Sequence, residues 1–98
     1  MTTEEWPWDQ APNVATVSCG AVILRGAPVL LVVHYSEDDS WAFLDGGEFS
    51  LKDALLVSMA EAVKRDPSLR QVANLPPGWV ARRQAVGGEW TREPDPDV

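Results

Sequence analysis

The stretch SLKDALLVSMAEAVKRD, Ser50 to Asp66, decides the fold because it reads in two ways. Leu51, Leu55, Met59, Ala62 and Val63 recur at helical spacing, which would make one helix from 51 to 65. Ser58 and Glu61 instead form the S-x-x-E capping box, whose two side chains satisfy the free amides at a helix start. A helix that starts there leaves "ALLV" before it as a strand. The capping box favours strand then helix. Pro67 closes that helix, since the residue before a proline is pushed out of α geometry.

Working outward, "VATVS" (14–18) alternates weakly and is β-branched, which predicts a short strand. "PVLLVVHY" (28–35) is continuously apolar between "RGA" and "SEDD", the pattern of a central strand covered on both faces. "SWAFLD" (40–45) puts Trp41 and Phe43 on one face of a strand and Ala42 and Leu44 on the other. The polar "SEDDS" between them has the length of a hairpin loop, and Asp45-Gly46-Gly47 ends the second strand. After the helix, "PSLRQVAN" predicts a further short helical turn, "LPPG" a rigid corner, and "GWVARRQAV" (78–86) a last strand. The class is α+β: a mainly antiparallel sheet of about five short strands with one or two short helices.

A chain of 98 residues is a single domain, 1–98, of ordinary globular composition. Trp6 and Trp8 make residues 1–13 an arm packed on the fold, because each tryptophan offers a large apolar area to bury. The proline-punctuated, acidic residues 92–98 are expected to form a flexible tail. No apolar run reaches about 18 residues, so no membrane span is expected. The acidic N-terminus is unlike a signal peptide, and a lone Cys19 fits a reducing compartment, so a cytoplasmic location is expected.

The net charge of −7 is uneven. Residues 1–49 hold eight acids and one base, whereas 50–98 hold seven of each. With no basic surface to displace counterions from phosphates, nucleic acid is not an expected partner. An acidic face suits a basic protein, or solubility alone.

The acids concentrate in HYSEDDSWAFLDGGE, His34 to Glu48, beside the only histidine. Two enzyme readings meet it. The segments "CGAVILRGAPVLLVVHY" and "WAFLDGG" resemble the opening strands of a Nudix-type pyrophosphohydrolase, which needs G-x5-E-x7-R-E-x2-E-E on a metal-binding helix. Counting from Gly47 gives Asp53 for the first acid, but Glu61 at the arginine, Ala62 at the next acid and Arg65-Asp66 at the final pair. The box is absent, and no cofactor is expected. The second reading is a metal or small-molecule site of His34 with Glu37, Asp38, Asp39, Asp45 or Glu48. Zinc sites usually show two or more His or Cys at set spacing, and here there is one His. The competing reading makes His34 an edge residue hydrogen-bonded to a nearby acid or the backbone.

"WPWDQAPNVATV", "VVHYSEDDSWAFLDGG", "LVSMAEAVKRDPSL" and "NLPPGWVARR", over roughly residues 6–90, together resemble a family of small bacterial proteins built on a domain of unknown function. Its pattern is W-P-x-D, a histidine-acid hairpin ending W-x-F-L-x-G, an aspartate-proline-serine after a short helix, and L-P-x-G-W-x-A. More distantly, the tryptophan hairpin, "DPSL" and "PPGW" resemble the immunity protein 33-like group. That likeness implies a small non-enzymatic protein that neutralises a toxin, with no catalytic residues carried over. The chain departs from the pattern at Tyr35 and Ser40, where an aspartate and a glycine are expected. The resemblance supports strand then helix at 54–65. Glu37, Asp38, Asp39 and His34 are the candidate contacts for a basic partner.

Overall fold

The computed structural model describes residues 6–47 and 50–98. The elements run β1 (Ala15–Cys19), α1 (Gly20–Ile23), β2 (Leu31–His34), β3 (Trp41–Leu44), β4 (Ala54–Ser58), α2 (Met59–Arg65), β5 (Trp79–Arg82) and β6 (Thr91–Pro94). Two 3₁₀ turns, Leu51–Asp53 and Pro67–Val72, precede β4 and follow α2. The class is α+β, but the count differs from expectation. The described residues form six strands in the order β4-β1-β3-β2-β5-β6, and the β1–β3 neighbours run parallel.

Strand then helix is what forms at 54–65. Ser58 keeps an extended backbone at the N-cap, and its hydroxyl accepts from the Glu61 amide at 3.0 Å. The apolar repeat from Leu51 to Val63 is thus divided between two elements. Met59, Ala62 and Val63 face the core from α2, while Leu51 and Leu56 stand in solvent.

The structure departs from expectation at two places. Within residues 92–98, whose composition predicts a flexible tail, the chain up to Pro94 pairs along β5, from Arg82↔Thr91 to Trp79↔Pro94. Pro94 fits there because β6 is an edge strand, where a missing amide costs no ladder bond. β5 is therefore not the last strand. His34, expected at an edge, ends a central strand and is only 2% exposed.

Register divides the sheet faces. Trp41, Phe43, Val32, His34 and Ala81 share one face, against which Trp8 and the segment from α2 to Leu75 pack. Trp8 stands edge-on to Trp41 at 4.8 Å and to Phe43 at 5.6 Å. Residues 6–13 thus lie against the fold, while residues 1–5 of the expected arm fall outside the described part. Val17, Ala42, Val33 and Val80 share the opposite face.

Arg83 extends the line of Trp79 and Ala81, and its guanidinium is fully buried. It donates to the Val29 carbonyl at 3.0 Å, the Ser68 hydroxyl at 2.9 Å and Asp66 at 2.6 Å, and it lies 4.3 Å over Trp90. Asp66 also accepts from the Ser68 amide and hydroxyl, capping the second 3₁₀ turn. The aspartate-proline-serine and the following "ARR" therefore make one internal ion pair. No helix of the described residues is long and apolar enough to cross a membrane.

Candidate functional site

The acidic loop is a built hairpin tip. Tyr35 N–H donates to the Ser40 carbonyl at 2.8 Å, closing the loop between β2 and β3. Asp38 turns back on that closure, accepting from the Ser40 amide at 3.1 Å and hydroxyl at 2.6 Å. Asp39 takes the left-handed region at φ +62°, which aspartate tolerates better than most residues. That conformation aims its carboxylate at His34 Nε2, 2.6 Å away.

His34 is held on all sides. Nδ1 lies 2.6 Å from the Leu75 carbonyl and the ring stacks on Trp41 at 3.9 Å. Both ring nitrogens are thus taken by protein oxygens, Nδ1 by the Leu75 carbonyl and Nε2 by the Asp39 carboxylate. Among the described residues no group of three His, Cys, Asp or Glu is placed to hold an ion. Glu48, one acid of that reading, lies outside the described residues, and Asp45 instead turns to the Gly47 amide and the Cys19 thiol.

The arm bolts the tip from the other side. Gln10 accepts from the Trp41 indole at 2.6 Å and donates to the Asp39 carbonyl, while its own carbonyl accepts from Trp6 at 2.6 Å. The N-terminal tryptophan motif and the histidine hairpin are therefore one network. Sequence spacing could not connect Gln10 with Asp39.

The four candidate residues separate. Glu37 and Asp38 line a groove of about 340 Å³ together with Val17, Tyr35, Ser40, Leu51 and Ala54. By register Val17 and Ala54 lie on the face opposite Trp41, so the groove opens away from the helices. Asp39 is half exposed but spent on His34 and Gln10. His34 is buried and has no ring surface to offer a partner, which removes it as a contact. Sequence reading missed the groove, because Val17, Leu51 and Ala54 are brought beside the hairpin by the long-range β1–β3 and β1–β4 pairings.

Charge in the groove is tuned. The Ser40 hydroxyl, then its amide, holds the Asp38 carboxyl below the usual carboxylate range. Burial, then the Asp38 charge, pushes the Tyr35 phenol up. Asp38 is thus a fixed negative charge beside an uncharged phenol.

The Nudix-type helix has no counterpart. Where its acids would project, β4 runs as a strand, and α2 offers Glu61 followed by buried Ala62. Asp53 is occupied by Arg25 at 3.0 Å. Comparison with known protein families, curated proteins and solved structures returns no match.

Proposed function

We propose that this is a small non-enzymatic cytoplasmic binding protein of the immunity type, which occludes a basic protein partner. The observation that supports this best is the groove lined by apolar Val17, Leu51 and Ala54 and by acidic Glu37 and Asp38, set on a hairpin that is already ordered. An ordered tip presents its charge without losing loop entropy on binding. A basic side chain from the partner would meet Glu37 and Asp38 while its aliphatic stem lies on the apolar lining. The excess of acid in residues 1–49 adds a long-range pull on the same kind of partner.

Glu37 is the residue to change, because it is exposed and Asp39 has a structural bond to keep. In affinity capture from the native host at low salt, wild type should retain a basic protein that the Glu37→Lys variant releases. With that protein in hand, association should slow as salt rises, since exposed charges are screened beyond about 8 Å at physiological ionic strength. The partner's toxicity should be suppressed by wild type and not by Glu37→Lys. Equal capture and equal association rates for both proteins would exclude the hairpin from the interface.

A further inference from the structure

The two edges of the sheet are built differently. β6 reads Thr-Arg-Glu-Pro, with two charges and a proline, the devices that stop an edge from pairing. β4 reads Ala-Leu-Leu-Val-Ser, with no charge and no proline. Leu56 at its centre is 73% exposed. Among the described residues nothing pairs with the outer side of β4.

The open hydrogen-bonding groups of β4 follow from its inner pairing. The register runs Ala15↔Ser58 to Cys19↔Ala54, and the Met59 amide donates to the Val14 carbonyl at 2.8 Å. In an antiparallel pair the bonded positions alternate, so residues 55, 57 and 59 bond to β1 while 54, 56 and 58 turn their amide groups outward. The Ala54 amide is used by the Leu51 carbonyl, and the Ser58 carbonyl faces the first turn of α2 as an N-cap. Four groups stay open: the Ala54 carbonyl, both groups of Leu56 and the Ser58 amide.

We infer that β4 pairs with β4 of a second copy of this chain about a two-fold axis at Leu56. The four open groups are self-complementary under that axis. The Leu56 amide and carbonyl exchange two bonds with their equivalents, and each Ser58 amide meets the Ala54 carbonyl of the other copy. Leu55 falls opposite Val57 and Leu56 opposite itself, so no like charges meet. A two-fold interface of this kind closes, which keeps an unguarded edge from propagating. The pairing lies in the plane of the sheet and uses the Ala54 carbonyl, whereas the groove lies on one face and is lined by Ala54 together with Glu37 and Asp38. Glu37→Lys therefore tests the groove and the Leu56 variants test the edge.

The interface is small, so the mass is to be followed by sedimentation from about 1 to 300 µM, where weak interfaces populate. Wild type should approach twice the 10.7 kDa of the chain at the upper end. Leu56→Pro removes an amide the single copy does not use and should stay at the single mass throughout. Leu56→Lys should do the same, with unchanged circular dichroism. Symmetry gives a second readout: under mild oxidation Leu56→Cys should cross-link to itself, because paired residues sit within disulfide reach. Leu24→Cys is the matched control, since Leu24 is also 73% exposed but lies at the end of α1. A single mass for wild type at every concentration overturns the inference. So does cross-linking of both cysteine variants at equal rates, or a doubled mass that survives both Leu56 changes.

Discussion

Tyr35 shows how one side chain reports on its neighbours. It is the only tyrosine in the chain, so phenolate absorbance reads it alone. Burial and the adjacent Asp38 charge both favour the neutral phenol, so its midpoint in the folded protein should lie above 10.0. The folded chain holds that proton more tightly than the unfolded one. The resulting stability is complete below the ordinary phenol range and is lost as pH rises through the raised value. Asp38→Asn keeps an acceptor for Ser40 and removes the charge, so the midpoint should fall but stay above 10.0. An unchanged midpoint would assign the whole shift to burial. Single residues were also where sequence reading was weakest. Thr16 and Ser18 make "VATVS" look only weakly alternating, yet both are buried, with hydroxyls donating to the Trp41 and Phe43 carbonyls at 2.5 and 2.7 Å. His34 and Arg83 are likewise polar groups whose burial depends on partners far along the chain. Periodicity carries no information about those partners.

Among the elements, the short turn at Pro67–Val72 depends on a residue outside it. Asp66 caps the turn and neutralises Arg83, so Asp66→Ala removes a cap and strands a buried cation. That should cost about 3–5 kcal/mol in denaturant unfolding. Arg65→Ala breaks an exposed pair with Glu61 and a long, exposed bond to the Ile23 carbonyl, and should leave the midpoint nearly unchanged. Equal losses in the two variants would mean that the buried pair carries no special weight. The elements readable in advance were those whose signals are local: the Ser58 cap, the hairpin of β2 and β3, the stop at Pro67, and β5. Those missed had conflicting signals or long-range causes. "TREPDPDV" has the composition of a tail, and only the presence of β5 makes a strand of its first residues. α1 is a single turn between strands, too short for a period to register. Of the candidate site, its acids were visible and its apolar lining was not.

At the scale of the molecule, Trp41 is the point where arm, hairpin and sheet meet. It contacts Trp8, His34 and Gln10 and is 1% exposed. Trp41→Ala should cost about 3–5 kcal/mol, out of a total of roughly 5–15 kcal/mol for a domain. Thermal unfolding near the wild-type temperature would show that the cluster does not carry the fold. The sheet order has a further consequence, for the sequence of events in folding. β1 lies between β3 and β4, yet it precedes both along the chain. During synthesis β1 therefore emerges first and has no neighbour to bond to. The β2–β3 hairpin closes across a short loop and can form early, because short loops lose little entropy on closure. β4 must follow before the slot for β1 has two walls. Insertion of β1 then joins the hairpin to the α2 side in one step, which makes its docking the expected slow step and leaves Thr16 and Ser18 hydrated until it is complete.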